Sequence, residues 1–126
     1  MKLEIVSTDK APAAIGPYSQ AVKCGNMLFC SGQIPLDPLT GELVKGNITR
    51  QAEQVMDNIT AVLSAAEADF NDVLKTTIYL VDMADFAAVN EVYGGYFPQH
   101  KPARSTVAVH SLPRGALLEI EVVVAL

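Results

Sequence analysis

Tryptophan is absent from this 126-residue chain, cysteine and histidine occur twice each, and only 18% of the residues are charged. Each shortage excludes something. With so few thiols and imidazoles there is no ligand cluster at metal-binding spacing, and neither metal nor cofactor is expected. No run approaches the roughly 18 apolar residues of a membrane span. The opening Met1-Lys2-Leu3-Glu4 lacks the apolar core and cleavage site of a signal peptide, which predicts a cytoplasmic protein with no membrane partner. The nine Lys and Arg are scattered and the net charge is −5, which counts against a nucleic-acid partner, since phosphate backbones require a concentrated basic surface.

What remains is half apolar and long enough for one domain, taken as residues 1–126, that buries roughly two thirds of its unfolded surface. Leu3–Val6 reads as a short edge strand. Thr8 to Ser19 is a loop that leads into a hairpin over Gln20–Ser31, with Gly25-Asn26 suiting a two-residue type II′ turn. That register pairs Cys24 with Met27 and Cys30 with Ala21. The two sulfurs are then not opposite one another, and buried reduced thiols are expected rather than a disulfide. A turn-rich stretch follows from Pro35 to Gly46.

Ala52, Val55, Met56, Ile59, Val62, Leu63 and Ala66 recur at helical spacing and form one apolar stripe. Glu53, Gln54, Asp57, Asn58 and Thr60 fall off that stripe, and Asn47 or Thr49 supplies an N-cap. Val73–Val81 reads as a strand. Asp82 caps a second helix over about Met83–Phe97, turned inward at Phe86, Val89, Tyr93 and Tyr96 and weakened by Gly94-Gly95. Strands follow at 105–109 and 117–124. The order β-β-β-α-β-α-β-β, with only two helices, predicts an α+β fold with both helices on one face of one mixed sheet.

Strand parity carries this further. In the last strand Leu118, Ile120, Val122 and Val124 suit the helix side, leaving Leu117, Glu119, Glu121, Val123 and Ala125 on the other. In the fourth, Leu74, Thr76, Ile78 and Leu80 oppose Val73, Lys75, Thr77, Tyr79 and Val81. Both second faces are too apolar to meet only water, and no third helix exists to cover them. Other copies of the chain are expected there, trapping polar residues between subunits.

The charges most in need of explanation are Arg104, at the entry to a strand, and Glu119 and Glu121 among branched aliphatics. Desolvating such ions costs several kcal/mol each. Either they pair with one another, or they bind a small ligand bearing a carboxylate.

Several segments, in order, carry a resemblance over essentially the whole chain. They are Ala14-Ile15-Gly16-Pro17-Tyr18-Ser19-Gln20, Ser31-Gly32-Gln33-Ile34-Pro35, Gln51 with Asp57-Asn58-Ile59, and Val73-Leu74-Lys75-Thr76-Thr77. Asp85-Phe86-Ala87-Ala88-Val89-Asn90, Pro102-Ala103-Arg104-Ser105 and Leu118-Glu119-Ile120-Glu121 complete the set. The chain resembles the RidA (YjgF-like) family of enamine/imine deaminases. The resemblance implies a chorismate-mutase-like α+β fold, a homotrimer with sites in clefts between subunits, and hydrolysis of short 2-imino acids, tautomers of 2-enamino acids, to 2-oxo acids and ammonia. It implies that Arg104 clamps the substrate carboxylate and Glu119 holds the water, while Tyr18, Ser31, Gly32, Asn90 and Thr106 line the cleft. Several members carry cysteine where this chain has Thr106, which excludes a catalytic thiol at that position.

The residues suit that chemistry. A guanidinium offers two parallel donors to a carboxylate, and a positioned carboxylate suffices to deliver water to a protonated imine. Plainer alternatives stand beside each: Tyr18 as a turn residue packed on the sheet, Ser31 and Gly32 as a strand exit rather than a pair of free backbone donors, Asn90 as a loop bridge, Thr106 as a strand residue, and His100 and His110 as exposed turn residues. A non-catalytic carboxylate sensor or a chaperone on the same scaffold is the alternative function. A ribonuclease or translation inhibitor fits the charge balance least.

Overall fold

The computed structural model describes residues 2–126. Six strands, β1 (Leu3–Val6), β2 (Ala21–Cys24), β3 (Met27–Cys30), β4 (Val73–Leu80), β5 (Ala103–Ala108) and β6 (Leu118–Ala125), form one mixed sheet in the order β1-β2-β3-β6-β4-β5. Every neighbouring pair is antiparallel except β4 and β5, which run parallel and are joined through the second helix. Two helices, α1 (Ile48–Ala65) and α2 (Phe86–Gly94), give the expected α+β element order.

The β2–β3 hairpin has the register expected of its turn: Ala21 lies opposite Cys30 and Cys24 opposite Met27. Gly25 takes φ 61° while Asn26 keeps a negative φ, as a type II′ turn requires. The two cysteines form no disulfide, and burial pushes the Cys30 thiol up to about 12. It behaves as a small apolar side chain.

Asn47 caps α1, its side chain accepting the Arg50 N–H at 3.1 Å. The apolar stripe of α1 packs with Leu28, Ile78, Leu80, Leu118, Ile120 and Val124 in one core. Each such aliphatic side chain, fully removed from water, contributes about 1.5–3 kcal/mol. The second helix is shorter than its sequence pattern. Asp82 caps a single 3-10 turn (Met83–Asp85) by accepting the Ala84 N–H, and α2 proper begins at Phe86. Gly94 and Gly95 lie at its end, so they stop the helix rather than weaken its interior.

The parity of β6 holds without a break, alternating buried and half-buried from Leu118 onward; Leu117 lies just before the strand. In β4 a bulge between Val73 and Lys75 shifts the phase. Val73 therefore joins Thr76, Ile78 and Leu80 in the core, while Leu74 turns outward and is exposed, contrary to strict alternation. The face away from the helices carries Phe29, Lys75, Thr77, Tyr79, Glu119, Glu121, Val123 and Val107. No helix covers it, and Phe29 stays 51% exposed.

Candidate functional site

Arg104 lies inside β5, one residue past its start, and pairs across the sheet with Thr76, which is buried beneath the helices. Its side chain therefore rises on the helix side. Glu119 and Glu121 pair with Tyr79 and Thr77 and face the opposite side. The sheet itself separates the guanidinium from both carboxylates, and Arg104 makes no ion pair with either. Nor is Arg104 buried; it is exposed. The reading that these charges pair with one another fails on register alone.

What holds Arg104 is α2. Its Nη1 donates to Asn90 Oδ1 at 2.7 Å, and its guanidinium carbon lies 5.4 Å from the centre of the Phe86 ring and 5.0 Å from that of Tyr93. Phe86, Asn90 and Tyr93 recur at helical spacing on one face of α2 and make a bed for the cation. The Tyr93 hydroxyl is itself fixed, 2.8 Å from the buried Thr76 Oγ1. Asn90 thus positions the guanidinium, which stays exposed at the surface. Phe86 and Tyr93, which periodicity alone assigns to the core, have this second task. Thr106, two residues along the same face, has a buried Oγ1 with no hydrogen-bond partner. An orphaned hydroxyl costs free energy unless something supplies a partner. A cavity of about 450 Å³ opens beside Asn90, Tyr93, Lys101 and Arg104.

A second cavity, of about 490 Å³, opens among Tyr18, Ser31, Gly32, Arg114 and Glu119, with apolar walls from Ile15, Ile34 and Leu36. The bridge between Gln33 and Ile120 (Gln33 N–H to Ile120 O 2.9 Å, Ile120 N–H to Gln33 O 3.1 Å) draws the segment after β3 against β6. Gly32 is thereby pressed onto Glu119: a β-carbon there would stand 2.4 Å from Glu119 Oε2. Only glycine leaves that carboxylate its place. Burial, and then the neighbouring Glu121 charge, raise the Glu119 pKa above the ordinary carboxylate value. Glu121 is occupied otherwise, accepting a hydrogen bond from the Tyr79 hydroxyl. That bond is also the largest cause of the raised Tyr79 pKa.

The sequence expectation of two free backbone donors at 31 and 32 is half met. The Ser31 N–H bonds Gln20 O at 2.9 Å, its hydroxyl bonds Ser19 O at 2.5 Å, and only the Gly32 N–H is left over. Tyr18 projects from a tight turn at Gly16, is 54% exposed, and borders the cavity. His100, expected to be exposed, is half-buried with Nε2 2.6 Å from Val73 O; His110 is exposed.

The residues that the sequence concealed are buried amides. Asn58 Nδ2 donates to Leu36 O at 3.0 Å and Ile34 O at 3.3 Å, fixing one wall of the Glu119 cavity to α1. Gln54 donates to Asn58 Oδ1 at 2.9 Å. Gln51 Oε1 accepts the Leu117 N–H at 3.0 Å and so sets the start of β6. Gln20 donates to Pro12 O at 2.7 Å and accepts the Thr8 N–H at 2.7 Å, tying down the loop that carries Tyr18. On a helical wheel Gln54 and Asn58 look like a solvated flank. Their signals are that they are amides rather than charges and, for Asn58, its place in the Asp57-Asn58-Ile59 segment.

Among the described residues no three His, Cys, Asp or Glu side chains are grouped to hold a metal ion, and no helix is long and apolar enough to cross a membrane. The chain therefore carries two charged features on opposite sides of its sheet. One is a presented guanidinium, and the other a carboxylate of raised pKa in a partly apolar cavity.

Comparison with known proteins gives one answer. Residues 8–126 match the family described as Endoribonuclease L-PSP. A RutC family protein of Pyrococcus horikoshii is 57% identical over 120 residues, covering 95% of each chain. The 2-iminobutanoate/2-iminopropanoate deaminase of mouse is 50% identical over 120 residues, 95% of this chain and 89% of the mouse protein. The structure of E. coli TdcF with bound serine superposes with a TM-score of 0.93 at 41% identity, covering 98% of both chains. These relatives support deamination of reactive intermediates at the level of the family. The ordered segments from Gly16 to Glu121 and the superposition thus point the same way, and the chain belongs to the Endoribonuclease L-PSP family, the YjgF/RidA family of proteins.

Proposed function

We propose that the protein is a homotrimeric deaminase of short 2-imino acids, hydrolysing them to 2-oxo acids and ammonia. Each site would lie between the Arg104 face of one protomer and the Glu119 cavity of the next. The carrying observation is that the two half-sites cannot meet within one chain, because Arg104 and Glu119 rise from opposite faces of the sheet with β4 between them. The uncovered face with half-buried Tyr79, Glu121 and Val123 gives copies of the chain a surface on which to associate. A single domain over 1–126 supplies both halves.

The chemistry follows from the groups in place. Arg104, steadied by Asn90 and the two rings, binds the substrate carboxylate through its free donors. The Thr106 hydroxyl has a bond left to give, and Tyr18, Ser31 and Gly32 border the space around the reacting carbon. Glu119 takes a proton from water as the oxygen bonds to the imine carbon, whose π electrons pass to nitrogen. The tetrahedral intermediate, formed from the protonated imine, then loses ammonia: the proton held by Glu119 goes to the departing nitrogen, the carbon–nitrogen bond breaks as the carbonyl forms, and the hydroxyl proton released passes to the freed Glu119 carboxylate and on to water. A carboxylate of raised pKa suits both proton transfers near neutral pH, and such catalysis supplies roughly 10²–10⁴-fold. This scheme needs no cofactor.

The test is complementation. Arg104→Ala and Glu119→Gln should each abolish ammonia release from enzymatically generated 2-iminobutanoate. When the two variants are dissociated, mixed in equal amounts and reassociated as trimers, about a quarter of the sites regain both groups if each site spans two subunits. Mixtures as inactive as their parents would refute the shared site. Saturable binding of 2-oxo acids by the wild type with no acceleration of hydrolysis would make the protein a small-carboxylate sensor instead.

A further inference from the structure

Arg114 borders the Glu119 cavity from the turn Pro113–Gly115, and the chemistry described so far makes no use of it. Its backbone sits at φ 63°, ψ 13°, the left-handed region that disfavours any residue with a β-carbon. Among the described residues one other non-glycine has positive φ, Glu67. Glu67 is explained by the end of α1, where its N–H bonds Ser64 O at 3.0 Å and the Ala68 N–H bonds Leu63 O at 2.9 Å. Arg114 ends no such helix. Bonds from Gly115 N–H to Leu112 O (3.3 Å) and Ala116 N–H to Pro113 O (3.1 Å) hold the turn around it. Strain of this kind in a cationic side chain beside a cavity points to use rather than to folding.

The guanidinium of Arg114 makes no hydrogen bond or ion pair among the described residues. Glu119 borders the same cavity, and the Arg114 side chain is exposed at its edge. The same cavity has an apolar wall formed by Ile15, Ile34 and Leu36. A substrate held at its own carboxylate by Arg104 and attacked at its imine carbon from Glu119 has its side chain left to run along this wall. Arg114 adds to this cavity an unpaired planar fork of donors, which matches a carboxylate. The volume, about 490 Å³, has room for a four- or five-carbon chain.

We infer that Arg114 is a specificity-determining residue that binds a second acidic group on the substrate side chain, so that the site favours dicarboxylic 2-imino acids over monocarboxylic ones. Such imines are formed by two-electron oxidation of acidic 2-amino acids, and a reaction of that class would supply them. The inference rests on the deaminase reading for the orientation of the substrate, and its test is therefore one of binding rather than turnover.

Titration calorimetry of the intact assembly with 2-oxoglutarate and with 2-oxobutanoate, stable products of the two imine classes, reads the selectivity directly. The wild type should bind the dicarboxylate about tenfold more tightly, and Arg114→Gln should bring that ratio down by about tenfold, as loss of one charge-assisted contact does. Arg114→Gly, which relaxes the backbone of the turn, should lose the same selectivity while melting at a higher temperature. Equal affinities in the wild type, or a ratio unchanged in both variants, would overturn the inference. Absence of imine turnover with the selectivity intact would sink the deaminase reading and leave Arg114 as the second anchor of a dicarboxylate site.

Discussion

Gly32→Ala separates the chemistry of the Glu119 cavity from the stability of the fold. The added β-carbon would stand 2.4 Å from Glu119 Oε2, 2.8 Å from Cδ and 2.9 Å from Cγ. Carbon pairs in contact settle at about 3.5 Å or more, so the carboxylate must retreat by about 1 Å. It ends a flexible side chain with no hydrogen bond to hold it, and the retreat costs the fold little. Gly32 has no positive φ, so alanine brings no backbone strain and restricts the unfolded chain by about 0.4–1 kcal/mol. The melting temperature should therefore stay within a few degrees of the wild type. Catalysis has no such tolerance. A misplacement of about 1 Å costs on the order of 10²-fold, about 2.7 kcal/mol of barrier. Ammonia release from 2-iminobutanoate, measured alongside thermal melting, should show kcat falling about 100-fold in a protein that remains folded. Full turnover in Gly32→Ala would remove Glu119 from the reacting carbon. A large drop in melting temperature, with each folded molecule as active as before, would show that the clash is not confined to the carboxylate.

Phe86→Leu removes one ring from beneath Arg104; a cation–π contact at an exposed site contributes about 0.5–1 kcal/mol, so KM should rise a few-fold with kcat nearly unchanged, and an unaltered KM would mean the ring only packs. The acid limb of kcat/KM should lie above the ordinary carboxylate range, because Glu119 must be ionised to take a proton and its pKa is raised. Glu121→Gln removes the lesser of the two causes, so that limb should move to lower pH yet stay above the ordinary value, burial being the larger; a limb that does not move would assign it to another group. Asn58→Leu leaves the Leu36 and Ile34 carbonyls without their donor and should destabilise the protein by about 1–3 kcal/mol in denaturant titrations, with weaker ligand binding as that wall loosens.

Much of this molecule is written in local pattern. The stripe of α1, the Asn47 cap, the Gly25-Asn26 turn and the alternation of β6 each depend on residues close together in sequence, so periodicity and turn chemistry fix them without reference to the rest of the fold. The apolar content of the second face of β6 is legible for the same reason, whereas Val73, read onto the second face of β4, is turned into the core by the bulge; the choice of Arg104 and Glu119 as the charges needing explanation is legible too. Which charge meets which is another matter. Register across β5, β4 and β6 sets Arg104 and Glu119 on opposite faces, and a register is a long-range property. The bulge that turns Val73 in and Leu74 out is equally invisible to strict alternation.

The amino-acid order by itself determined the succession of elements, the core stripe and the identities of the charged side chains, because short-range sterics and side-chain periodicity act within a few residues. Tertiary structure alone decided that Phe86 and Tyr93 lie under a guanidinium, that Gly32 shelters a carboxylate, that amides on α1 fix the cavity wall, and that Arg114 is left unpaired in a left-handed turn. Those contacts join residues far apart in the chain, and they exist only once the sheet has fixed which faces look toward each other.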